Sequence, residues 1–121
     1  MDKFEKMWEQ QEGFMNLLHK KRGFPKFPVD IYSKDGQKFL KTISHECMGE
    51  LFEANQELKN CKSHRATEVS LFNKEAYVEE LADSMHYLFE IIIASGVTLD
   101  EFYDAYMSKG KKNFQRIEDG Y

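Results

Sequence analysis

Glu46, Glu50, Glu53 and Glu57 follow one another at spacings of four, three and four, and Glu80 and Asp83 stand three apart farther along the chain. On a helix, residues three and four apart are surface neighbours, so each row presents its carboxylates in one direction. If the two rows meet, four or five carboxylates converge. Such a crowd cannot stay ionised unaided, because like charges repel and force protons onto one another's sites. A hard divalent cation resolves the conflict, and a donor set made only of oxygens suits magnesium, with manganese as the alternative. The other outcome open to these residues is a pair of solvated helix edges partnered by lysines, which is common for acidic residues at helical spacing.

Lys109, Lys111, Lys112 and Arg116 form a basic cluster near the C-terminus. They can hold phosphate oxygens or make only a solvated cationic face. The remaining reactive side chains carry less. Cys61-x-x-His64 is half a zinc site, and His45-Glu46-Cys47 places candidate ligands side by side, whereas structural zinc wants four well-spaced ligands. Cys47 reads as a small core residue. Phe24-Pro25-Lys26-Phe27-Pro28 is an aromatic loop that can either cover a planar base or cap the helices.

Four helices position these groups. Asp2 followed by Glu5 makes a capping-box-like start. Phe4, Met7, Trp8, Phe14, Met15, Leu17 and Leu18 then give an apolar face to about His19, and Lys20-Lys21-Arg22-Gly23 ends the helix. The segment from Phe24 to Gly36 holds both prolines and reads as a loop. A second helix runs from about Gln37 to Lys59, with Phe39, Leu40, Ile43, Cys47, Leu51 and Ala54 on its inner side. Asn60 to Phe72 is a polar connection. Asn73 caps a third helix that ends at Gly96. Its Leu81, Met85, Leu88 and Ile92 recur at three-and-four spacing and predict a buried stripe beside Glu80 and Asp83. Thr98-Leu99-Asp100-Glu101 is a capping box for a fourth helix, whose apolar face is Leu99, Phe102, Tyr103, Tyr106 and Met107. Gly110 is a point of kinking or fraying before a basic tail. No stretch alternates as a strand does. The expected fold is all-α, a four-helix bundle, with residues 1–121 as a single domain.

A hydrophobic fraction of 41% against 31% charged residues suits a soluble globular domain. No apolar run approaches the roughly 18 residues a membrane span needs, and the first residues lack the basic-then-apolar pattern of a secretory signal. Two cysteines make no disulfide framework. A cytoplasmic location is expected, or the host cytoplasm for a phage-encoded chain. A net charge of −4 argues against polymeric nucleic acid as a partner, but leaves room for a small anion at the basic cluster. The third helix carries more apolar surface than a small bundle hides, which predicts a homodimer or homotetramer.

Taken together, the helix order and the acidic pairs resemble the all-α nucleoside triphosphate pyrophosphatase superfamily, which includes MazG proteins, dCTP pyrophosphatases and dimeric dUTPases. Glu80-Leu81-Ala82-Asp83 is similar to the Glu-x-x-Asp half of that group's hallmark, and Gly49-Glu50-Leu51 followed by Glu53 resembles the other half. Asp83-Ser84-Met85-His86-Tyr87 resembles the Asp-x-x-His-aromatic run of dimeric dUTPases and phage dCTPase–dUTPases. Tyr106-x-x-Lys109-x-x-x-Asn113-x-x-Arg116-x-x-x-Gly120-Tyr121 is similar to their closing motif. The match runs best from Glu80 to Tyr121.

The resemblance implies magnesium-dependent hydrolysis of a pyrimidine deoxynucleoside triphosphate, dUTP first and dCTP second, to the monophosphate and pyrophosphate. It implies metal ligation by Glu50, Glu53, Glu80 and Asp83, with Glu46 as a further candidate, and catalytic work by Glu50 or Glu53. It gives Gln11 a contact with the base, His86 one with the sugar or a ligand carboxylate, and Lys62, Lys109, Asn113 and Arg116 a share in holding substrate. Two departures stand against it. Cys47 occupies the position of the first Glu of the family's Glu-x-x-Glu, with Glu46 one residue earlier as the i,i+4 partner of Glu50. The tryptophan of the family's Phe-Lys-x-Trp segment is missing from Cys61-Lys62-Ser63-His64. The rival readings are a MazG-like pyrophosphatase for a purine or modified substrate, and a non-catalytic member of the fold that binds nucleotides or a protein.

Overall fold

The computed structural model describes residues 1–69 and 71–121. It contains four helices, α1 (Lys3–Arg22), α2 (Lys34–Asn55), α3 (Lys74–Ala94) and α4 (Leu99–Glu118). There is no strand among the described residues. The fold class is therefore all-α, with the element count expected of a four-helix bundle. No helix is long and apolar enough to cross a membrane among the described residues. The chain divides into two units, one made of Met1–Val29 with Ile92–Tyr121 and the other of Asp30–Ile91.

In the first unit, α1 starts as the sequence suggests, with Asp2 accepting a hydrogen bond from the Glu5 amide at 2.8 Å. It runs to Arg22, three residues past the expected end. Its basic last turn complements the negative end of the helix dipole, and Gly23 closes it in the left-handed region at φ 70° while its amide reaches back to the Leu18 carbonyl. Trp8, Gln11 and Met15 are the buried residues of α1. The end of α3 joins them in this unit with buried Ile92, Ile93 and Ala94. The Val29 amide donates to the Ala94 carbonyl at 2.9 Å and ties the loop after α1 to that end. Thr98 and Glu101 form the full capping box of α4. Contrary to expectation, α4 passes through Gly110 unbroken to Glu118. A single glycine costs a helix only about 1 kcal/mol, and the residues around it are good helix formers. The basic cluster is thus helical rather than a tail.

The second unit holds α2 and most of α3. The bounds of α2 differ from the sequence reading at both ends. Ser33 is the N-cap and accepts from the Gly36 amide at 2.9 Å, which moves the start three residues earlier. The helix stops at Asn55 and its last amide bonds tighten into a turn through Leu58, so Glu57 lies outside it. Ile43 and Ala54 are buried and Phe39, Leu40 and Cys47 half-buried, but Leu51 is exposed. Asn73 caps α3 through the Ala76 amide at 3.1 Å. Phe72 stacks edge-on to Tyr77 at 5.3 Å, a hydrophobic staple across the same helix start. The connection from Asn60 to Phe72 is exposed throughout its described residues; Ser70 lies outside them.

The predicted stripe on α3 needs correction. Ile92 is buried and Leu81 half-buried, but Met85 is 40% and Leu88 39% exposed, whereas Phe89, Ile93 and Ala94 are buried. Ile91, Ile92 and Ile93 make the C-terminal half apolar all round, so periodicity alone cannot choose which stripe faces inward. On α4 the same correction applies to Tyr103, Tyr106 and Met107, which are exposed.

Candidate metal centre

The carboxylates of α2 and α3 do converge. Glu50, Glu80 and Asp83 each offer one oxygen, and these oxygens lie within 4.8 Å of one another. Glu50 and Glu80 are half-buried and Asp83 is exposed. The four-residue turn of α2 carries Glu50 to this point, and Glu80 and Asp83, three apart on α3, meet it from the other side. Glu53 adjoins the group and shares hydrogen bonds with Glu50 and Glu80.

The electrostatics of this group are those of crowded anions. The Glu50 carboxyl is raised from the ordinary 4.5 to about 7, first by burial, then by its hydrogen bond with Glu53 and by the charges of Glu53, Asp83 and Glu80. Glu80 is raised as well, by burial first and then by a hydrogen bond with Glu53 and the charges of Glu53 and Asp83. One oxygen of Glu80, Oε2, is buried with no hydrogen-bond partner among the described residues. A buried carboxylate oxygen without a donor is costly. Three converging carboxylate oxygens form a donor set that could hold a metal ion.

Glu46 and Glu53 are both exposed and are not members of the three-residue group. The charge of Glu46 instead reaches Tyr87: burial, then Glu46, Glu50, Glu90 and Asp83 together push the phenol pKa up. His86 is exposed on α3 and Lys62 exposed in the connection. All of these belong to the second unit. Gln11, Lys109, Asn113 and Arg116 belong to the first. Gln11 is 1% exposed. Lys109, Asn113 and Arg116 are exposed along α4, at spacings of four and three on one face, and the Arg116 guanidinium stands 5.2 Å over the Tyr121 ring.

Three groups near the carboxylates escaped the sequence reading of the site. Tyr87 and Glu90 continue the row begun by Glu80 and Asp83 at spacings of four and three, so the signal was present in the register of α3. Glu90 is 4% exposed, and burial pushes its carboxyl up. Ser84 bonds to Cys47 of α2, and no spacing rule relates residues on different helices. Both cysteines are free thiols.

Compared with known proteins, the chain matches no family model, no curated protein and no solved structure.

Proposed function

We propose that the protein is a magnesium-dependent nucleoside triphosphate pyrophosphatase, acting on a pyrimidine deoxynucleoside triphosphate, dUTP before dCTP. The observation that supports this reading is the convergence of Glu50, Glu80 and Asp83, each with an oxygen within 4.8 Å of the others. The choice of substrate rests on the resemblance of Glu80–Tyr121 to the dimeric dUTPase branch. A triphosphate bears nearly four negative charges and cannot approach these carboxylates without counter-charge. Glu50, Glu80 and Asp83 would hold magnesium, which when bound would supply Lewis-acid charge at the phosphate and at the water. Glu53, hydrogen-bonded to Glu50, orients the water, and either of the two accepts its proton. The water oxygen bonds to the α-phosphorus as the bond to the bridging oxygen breaks, and pyrophosphate leaves with that electron pair. The resemblance alone gives Lys109, Asn113 and Arg116 of α4 a share in holding phosphate, as cationic and amide donors. Manganese is expected to substitute for magnesium, and the active species to be a homodimer or homotetramer.

The test is pyrophosphate release from each common dNTP and from dUTP, with magnesium and with EDTA. Release from dUTP or dCTP that EDTA abolishes is expected, and Asp83→Asn and Glu50→Gln should each lower it by about a hundredfold or more, as for loss of a group acting in the transition state. No turnover on any substrate would leave the binding-protein reading, and a preference for dATP or dGTP would leave the MazG-like one.

A further inference from the structure

The second helix crosses the third at Cys47 and Ser84. The Cys47 thiol donates to the Ser84 carbonyl oxygen at 3.3 Å, and the Ser84 hydroxyl donates to the Cys47 carbonyl oxygen at 3.3 Å. The two side-chain heteroatoms are 3.6 Å apart. The link is therefore reciprocal: each side chain bonds the other's backbone. This is unusual for hydroxyls inside helices, which ordinarily bond the carbonyl one turn back. Thr42 and Ser44 do so on α2 itself, to Lys38 and Leu40, each at 2.9 Å. Ser84 has the same local option and uses the other helix instead.

The place of the link matters. Cys47 is one turn before Glu50. Ser84 directly follows Asp83 and is one turn after Glu80. A helix is stiff over one turn, so the height and rotation at which residues 47 and 84 meet set the height and rotation at which Glu50 meets Glu80 and Asp83. Those three carboxylates bring oxygens within 4.8 Å of one another, and like charges that close repel. Repulsion alone would push α2 and α3 apart at this level. The two small side chains let the backbones approach, and the paired bonds hold them there.

We propose that Cys47 and Ser84 are positioning residues for the metal centre: their reciprocal backbone bonds lock the register of α2 against α3 and hold Glu50, Glu80 and Asp83 at ligand spacing. This rests on the metal reading of the site. It also gives Cys47 a role of its own, as the clamp beside the ligands rather than a missing ligand.

The test is manganese affinity by titration calorimetry at 25 °C, with the melting temperature of the metal-free protein measured on the same samples. Cys47→Ala removes one donor without adding volume, and Ser84→Ala removes the other. Each is expected to weaken manganese binding about tenfold, the lower range for groups that orient metal ligands. The double variant should be little worse than either single one, because both act through one link. Cys47→Ser keeps size and donor and should restore near-wild-type affinity. Glu50→Gln and Asp83→Asn separate the two ideas. If these abolish binding while the Cys47 and Ser84 variants bind as the wild type does, or lose only melting temperature, the positioning role is overturned and the metal centre stands. If the wild type binds no manganese, or Glu50→Gln and Asp83→Asn bind it unchanged, both fall. Tighter binding by Cys47→Glu would also overturn the proposal, since position 47 would then be a ligand site.

Discussion

Glu50 is the residue whose chemistry is most exposed to test. Its carboxyl titrates at about 7 in the folded chain against an ordinary value of 4.5. A carboxyl raised by folding binds its proton more tightly in the native state, so the folded form is favoured while that proton is on. This contribution is fully present below 4.5 and is lost as pH rises through about 7; Glu80, raised in the same direction, adds to it. The metal-free protein should therefore melt lower at pH 8 than at pH 5.5. Magnesium replaces the protons, so its stabilising effect should be larger at pH 8. At a hundred times its dissociation constant it should contribute about 2.7 kcal/mol, on the order of 10 °C for a chain of this size. Differential scanning fluorimetry at the two pH values, with and without magnesium, checks both signs. Asp83→Asn should raise the melting temperature of the metal-free protein at pH 8 and remove the magnesium response. An unchanged response would place the cation elsewhere.

At the scale of the element, the bounds of α2 decide where its carboxylates point. The helix begins at Ser33's cap, and Gly36 sits buried against the turn before it. A Cβ at Gly36 would collide with the Asp30 carbonyl, which is backbone and cannot swing aside, and would touch Ser33 Oγ at 3.0 Å. Gly36→Ala should cost on the order of 3 kcal/mol, the upper range for overpacking, and lower the melting temperature by about 10 °C. Gly96→Ala is the milder comparison. It strains a left-handed residue at φ 82° but meets Pro28 only at ordinary contact distance, a cost of about 1–2 kcal/mol. Thermal melts of the two variants should rank them in that order. The reverse order would mean that the Ser33 cap does not set the start of α2. The N-caps at Asp2, Asn73 and Thr98 were legible in sequence, because a cap is chosen by its own side chain and the next three residues. The Ser33 cap was obscured by the loop signals around Asp35 and Gly36.

For the molecule as a whole, the notable feature is how much apolar surface stays in water. Met48, Leu51 and Phe52 of α2 and Val78, Met85 and Leu88 of α3 are all exposed, Phe52 to 68%. A surface carrying this many exposed large apolar side chains is suited to association, in keeping with the proposed homo-oligomer. Light scattering at micromolar concentration should give twice or four times the 14.3 kDa chain mass. Leu51→Glu or Leu88→Glu, which place a charge on such a surface without disturbing a buried residue, should shift the protein towards monomer. A wild-type monomer would count against the oligomer.

The sequence by itself determined the helices, most of their caps and the identity of the acidic rows, because each depends on residues within a turn of one another. It also assigned Glu50, Glu80 and Asp83 to possible common use, since three-residue spacing puts Glu80 and Asp83 on one face. Only the tertiary structure decided that those three meet while Glu46 stands apart, that Met85 and Leu88 face outward, and that Cys47 is joined to Ser84. The reason is physical. Periodicity defines a face but not its direction, and which carboxylates meet is set by the register between two helices, here where Cys47 crosses Ser84.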